Sequence, residues 1–230
     1  MTTGLRERKK QETRQAISDI ATVLFAERGF DAVTIAQVAE AAGVAKMTVT
    51  NYFPRKEDLV FDRAGGIVSS LAGAVATRAP GESLLAAIRR HYADAVARAD
   101  PTLGLSSPAF AAMIEGSPVL TGRGLEIQAQ RERALGDAIA AETGADTVEQ
   151  RVVAAQLSAV HQVLSAEASR RSRADQPRAE ILRMLARESQ RAFDLLEPSL
   201  GGYLVRAAGP ARPRLPAAQV HGPDVDHLIA

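Results

Sequence analysis

Residues 45 to 52 read Ala-Lys-Met-Thr-Val-Thr-Asn-Tyr, and within this run Lys46, Thr48, Thr50, Asn51 and Tyr52 carry hydrogen-bond donors or acceptors. Wound as a helix, they would surround a rod that needs only Val49, and Phe53 just beyond it, for its core. A helix that exists only to pack would draw on better helix formers. The chemistry open to such a surface is recognition, because ammonium, amide and hydroxyl groups match the base edges and phosphate oxygens of a DNA groove.

Chemistry of other kinds finds no support in the chain. It has no cysteine, which removes disulfides, thiolate metal sites and thiol nucleophiles together. His91, His161, His221 and His227 lack metal-ligand spacing, and no nucleophile elbow, phosphate loop or paired-carboxylate pattern is present. No enzyme, cofactor or metal is expected. A helical enzyme that has acquired a DNA-binding unit is the rival from another class.

The elements that must position residues 45 to 52 are helical. Ala, Leu, Arg and Glu dominate, and no Asn-Gly or Asp-Gly hairpin turn occurs, so an all-α fold is predicted. Ile17, Ile20, Ala21, Leu24 and Phe25 form one apolar stripe that Gly29 ends, with Phe30 free to fold back on the last turn. Thr34 and Gln37 have the spacing of a capping box at the start of a second helix with Ile35, Val38 and Ala39 inward. Ala41 to Val44 make a tight turn, and a third helix runs from about Ala45 to Tyr52, where Pro54 stops it. Two short helices joined by a Gly-containing turn have the form of a helix-turn-helix.

A long fourth helix is expected from Lys56, with Val60, Ala64, Ile67, Val68, Leu71 and Val75 on one face. Further helices are expected over Glu82 to Arg98, Ser107 to Glu115, Gly124 to Glu142, Thr147 to Ser172 and Arg178 to Leu196. From Pro198 onward prolines and glycines are scattered without periodicity, which reads as a disordered tail over 198–230.

Charge is informative locally. The formal net charge is only +1, yet Arg6, Arg8, Lys9, Lys10 and Arg14 crowd the N-terminus, where they either follow a phosphate backbone or form a solvated helix start. No apolar run is long enough for a membrane span, the first fifteen residues are polar, and a cytoplasmic location is expected.

The segment Thr34 to Val60, TIAQVAEAAGVAKMTVTNYFPRKEDLV, resembles the tetracycline-repressor (TetR) family of one-component regulators. The resemblance spans about Arg8 to Ile67 and includes the ERGF that closes the first helix, the AAGV turn, the YF after the third helix and the KEDL that opens the fourth. It implies a three-helix DNA-binding unit over 8–67, a helical effector-binding and dimerisation domain over 80–197, and a dimer built from the last two long helices. By matching positions, Ala45, Lys46, Met47 and Thr50 would face bases, and Thr34, Thr48, Tyr52 and Lys56 would meet phosphates, with Asn51 beside them. Family members usually carry tyrosine where Thr50 stands, so the operator of a relative does not transfer.

In the second domain Tyr92, Phe110, Met113, Ile114, Ile127 and His161 are candidate walls of an effector pocket, simple core being the other reading of each. Small residues in the helix through Ala154, Ala155, Ser158, Ala159 and Gln162 suit close helix approach across a dimer, with Leu182, Leu185, Phe193 and Leu196 as its partner face. The expected function is a ligand-responsive, sequence-specific regulator with double-stranded operator DNA and a small-molecule effector as partners. Release of a repressor by the effector leads, and an activator or a ligand-independent regulator of the same fold is the alternative.

Overall fold

The computed structural model describes residues 2 to 207, and no strand occurs among them. His221, His227 and the expected tail over 208–230 lie outside the described residues.

Helix α1 (Thr2–Arg28) takes in the whole basic N-terminus. Its stripe behaves as the periodicity requires: Ile17, Ala21, Leu24 and Phe25 are buried, Gly29 turns the chain with φ +82°, and Phe30 returns to within 5.2 Å of the Phe25 ring. Thr34 and Gln37 form the reciprocal capping box that starts α2 (Ile35–Ala41). Gly43, at φ +63°, supplies the left-handed residue of the turn into α3 (Lys46–Tyr52), which buries Val49. Ser18 donates to the carbonyl of Leu59 at 3.1 Å and so fixes α1 against the segment after α3.

The expected long fourth helix is interrupted. Lys56–Leu59 form one 3-10 turn, and α4 begins only at Ala64 and ends at Ala76. Burial of Leu59 and Val60 in the core of α1 to α3 bends the chain there. The Asp58 side chain accepts the Arg55 backbone N–H at 3.1 Å, which stabilises the tight turn over a continuous helix.

The second domain follows as α5 (Leu84–Ala97), α6 (Pro108–Gly116), α7 (Pro118–Thr143), α8 (Val148–Arg173), α9 (Arg178–Asp194) and the single turn α10 (Glu197–Leu200). The break expected over Gly116 to Gly124 shrinks to Ser117, whose hydroxyl caps Leu120 N–H with Pro118 at the first helical position. Its core gathers Leu71, Leu85, Ile88, Tyr92, Leu135, Leu157, Leu185 and Phe193.

That core removes some of the side chains expected at the dimer face, while Leu182 and Leu196 stay half-buried. Leu185 and Phe193 are fully buried within their own chain, as is Ala154, so they cannot meet a second copy. Helix α9 has one apolar stripe, and α5 and α8 already cover it.

The start of the expected tail is also corrected. Residues 198 to 207 dock: Leu200 is buried, the Tyr203 carbonyl accepts from Leu84 N–H at 3.2 Å, and Arg206 exchanges backbone hydrogen bonds with Gly81 and Glu82 at 2.8 and 3.0 Å. The Arg206 guanidinium reaches the carbonyls of Ala76 and Arg78 at 3.0 and 2.6 Å. Buried Arg78 in turn joins Glu142 and the Leu204 carbonyl. Prolines and glycines hide this strap from a periodicity argument, because its bonds are loop to loop.

Candidate nucleic-acid interface

Helix α3 faces outward with the residues expected to read bases. Ala45, Lys46 and Asn51 are exposed, and Met47 keeps 70% of its surface in solvent. An exposed methionine at this position is out of place in a packing helix and suited to a thymine methyl. Thr48 and Tyr52 are half-buried at the flank, Tyr52 against the core of α1 to α3.

Three expected contacts are placed differently from a free polar surface. The Thr50 hydroxyl donates back to the carbonyl of Met47 at 3.1 Å, which leaves its oxygen and methyl for a groove. The Thr34 hydroxyl is engaged with Gln37 in the capping box. Lys56 lies 4.3 Å over the Phe30 ring and donates to the Asp31 carbonyl at 3.4 Å. Desolvation pulls its ammonium below the ordinary lysine value, partly offset by Asp31 and Glu57. It opens a 3-10 turn rather than the long helix that sequence periodicity suggests. On α1, Arg6, Arg8, Lys9 and Lys10 are exposed, while Arg14 stacks 4.5 Å over Phe53.

The structure divides the expected pocket set. Phe110, Met113 and Ile114 of α6 pack on the core of the DNA-binding unit, together with fully buried Leu120 of α7. Tyr92 and His161 meet in the second core with ring centroids 4.9 Å apart, and Ile127 is buried on α7. Phe110, Met113 and Ile114 therefore touch the DNA-reading unit, and Tyr92 and His161 the interior of the helical domain.

Sequence reasoning missed what joins them. Asp58, which caps the 3-10 turn, pairs with Arg123 of α7 at 2.8 Å, and both side chains are largely buried. Glu126 then accepts from Arg123 and from Arg55 at 2.9 and 2.7 Å. This clasp of four charges connects α7 to the turn after the recognition helix. No spacing rule could find it, since the partners lie 65 and 71 residues apart.

Among the described residues no group of histidines, cysteines and acids could hold a metal ion, and no helix is long and apolar enough to cross a membrane. The three-helix unit with its exposed α3, set on a larger helical domain, defines a helix-turn-helix regulator. Residues 17–62 match the family described as bacterial regulatory proteins, tetR family. The HTH-type transcriptional regulator TcmR of Streptomyces glaucescens is 29% identical over 205 residues, 86% of this chain and 88% of that protein. The HTH-type transcriptional repressor KstR2 of Rhodococcus jostii is 38% identical over 64 residues, only 28% of this chain and 31% of that one. The solved SmeT–triclosan complex shares the fold with a TM-score of 0.54 at 17% identity, covering 89% of this chain and 99% of SmeT. The DNA-binding unit over residues 17–62 is thus of the tetR family of bacterial regulatory proteins, and the relatives that align with it are transcriptional regulators.

Proposed function

We propose that this protein is a homodimeric repressor of the cytoplasm that a small molecule releases from a two-fold operator, and that its chemistry is binding rather than catalysis. The observation that carries the reading is the physical continuity between the two units. Leu120 of α7 and three apolar residues of α6 sit in the core beneath α3, and the Asp58–Arg123–Glu126–Arg55 clasp lies beside them. A displacement of α6 or α7 by a bound molecule must move the base of the recognition helix. Two half-sites are read together only when the paired helices stand about 34 to 36 Å apart, so a shift of a few ångströms releases the DNA.

In this reading Ala45, Lys46, Met47, Thr50 and Asn51 read bases. Thr34, Thr48, Tyr52 and Lys56 approach phosphates, Thr34 and Lys56 only after giving up internal bonds. Tyr92, Ile127 and His161 line the effector site, and Phe110, Met113 and Ile114 transmit its occupancy. The SmeT fold accommodates triclosan, which supports a fold able to admit a small molecule.

The second copy is placed on α8. Val148, Val152, Ala159 and Val163 form an exposed stripe along it, whereas the outward face of α9 carries Arg183, Arg187 and Arg191. Val163→Glu should turn a dimer at micromolar concentration into a monomer in sedimentation while leaving helicity intact. The function itself is tested by genomic footprinting with the purified chain, followed by operator titrations with compounds made or consumed by the neighbouring gene products. A palindromic footprint that such a compound weakens is the expected result. A footprint indifferent to every compound, or one that recruits polymerase, would sink ligand release of a repressor.

A further inference from the structure

Helices α5, α7 and α8 enclose polar atoms that the described residues leave without partners. Among the described residues the Tyr92 hydroxyl, Arg131 Nε, Ser158 Oγ and His161 Nε2 find no hydrogen-bond partner. The four residues are 1%, 7%, 4% and 8% exposed, so none is partnered by bulk water. Tyr92 and His161 touch edge to face, and the Arg131 guanidinium makes a 3.4 Å bond to the Ser158 carbonyl. Gln128, one helical turn before Arg131, holds an unpartnered Oε1 as well.

Each such group carries a desolvation penalty, and an arginine does so most of all. Among the described residues no carboxylate lies in salt-bridge range of Arg131, although the other arginines buried to a similar depth, Arg78 and Arg123, have acidic partners. Burial lowers the Arg131 value, but a guanidinium stays charged at neutral pH. The same charge, after burial, helps to keep His161 neutral. Four orphaned polar atoms on three helices, centred on one cation, have the make-up of a binding site whose missing member is an anion.

We infer that Arg131, with Tyr92, Ser158 and His161, forms the polar end of the effector site and selects small aromatic molecules bearing an ionised oxygen, a carboxylate or a phenolate. The inference rests on the ligand-responsive reading above and adds the chemical class. Arg131 supplies a two-pronged donor, the Tyr92 and Ser158 hydroxyls donate to the remaining lone pairs, and Phe193 and the Tyr92 ring offer apolar faces.

The test uses the purified full chain, with 2-naphthoate and its uncharged isostere 2-naphthamide as calorimetric probes. The wild type should bind the carboxylate about tenfold or more tightly than the amide, and Arg131→Met should bind the two alike. Independently of any ligand, Arg131→Met should raise Tm by roughly 3 to 8 °C, because it removes a buried charge without a counter-ion. A lower Tm in that variant would make Arg131 a scaffold residue, and a wild type without preference for the carboxylate would remove the anion; either result overturns the inference. The ligand-release reading fails on a different result, a bound compound that leaves operator affinity unchanged.

Discussion

Lys46 and Met47 are exposed on a helix that buries only Val49, and at this scale recognition is a matter of what each can donate or cover. Lys46→Ala should cost about 1 to 3 kcal/mol of specific binding, read by anisotropy on operator and scrambled duplexes, with weak non-specific binding nearly intact. Equal losses on both duplexes would reassign Lys46 to phosphate. Asn51 stood out in sequence by its type and Met47 by its match to the family pattern, but the retirement of Thr50 and Thr34 into backbone bonds did not, because a hydroxyl satisfied by its own helix reads the same in sequence as a free one. His161 provides a second prediction. Burial first, then Arg131 from α7 and His91 from α5, hold its folded value well below the ordinary one; the Tyr92 phenol also faces it, and Phe193 adds no charge. The unfolded chain regains a value near 6.5. Above that both states are neutral, and below it only the unfolded state takes the proton, so stability falls as pH drops from about 7 to 5, by at most about 1.4 kcal/mol per pH unit. His161→Gln should narrow the Tm difference between those two pH values. An unchanged acid sensitivity would place the proton uptake elsewhere, His91 being the neighbour that burial also lowers.

Elements were legible where one periodicity and one cap agreed. Helices α1, α2 and α3 could be drawn from the Ile17 to Phe25 stripe, the Thr34 capping box and Pro54, because those signals are local. The fourth helix was drawn too long for the converse reason: Val60, Ala64 and Ile67 keep helical spacing, but Val60 serves the core of α1 to α3 while Leu71 and Val75 serve the second. The bend at residues 60 to 63 bears on the neighbouring glycines. Gly65 and Gly66 occupy the first turn of α4, exposed, and a Cβ on either would meet nothing within 4 Å. Close packing therefore does not account for them within one chain, and their effect is on backbone freedom. Gly65→Ala with Gly66→Ala should stabilise the fold by roughly 1 to 2 kcal/mol in a denaturant titration. If the turn before α4 flexes when the effector binds, the same variant should bind operator normally and respond less to ligand. A full response alongside raised stability would place the movement in α6 and α7 alone.

Across the whole molecule, long-range charge pairs and loop-to-loop bonds decide how the pieces are held, and these are what a single sequence conceals. The clasp of Asp58 with Arg123 and the strap of residues 198 to 207 each involve partners more than sixty residues apart, with no local pattern to mark them. The strap has a clear physical role. Leu200 fills the second core, Tyr203 and Leu204 pack against it, and Arg206 satisfies the carbonyl of Ala76 at the end of α4 and that of Arg78 just past it. Arg78, bonded to Leu204 and Glu142, extends that junction to the last turn of α7. Two truncations isolate the strap: one ending at Glu197 and one ending at Ala207 differ only in residues 198 to 207, so any gap in their Tm belongs to that segment. Loss of one buried leucine and several hydrogen bonds amounts to about 2 to 5 kcal/mol, and the shorter chain should melt roughly 5 to 15 °C below the longer one. It should also leave the Arg78 guanidinium with Glu142 as its main partner, so Leu200→Ala in the longer chain should reproduce only part of the fall. Equal melting of the two truncations would mean that the docked strap contributes no net stability, and the tail could then be taken to begin at Pro198.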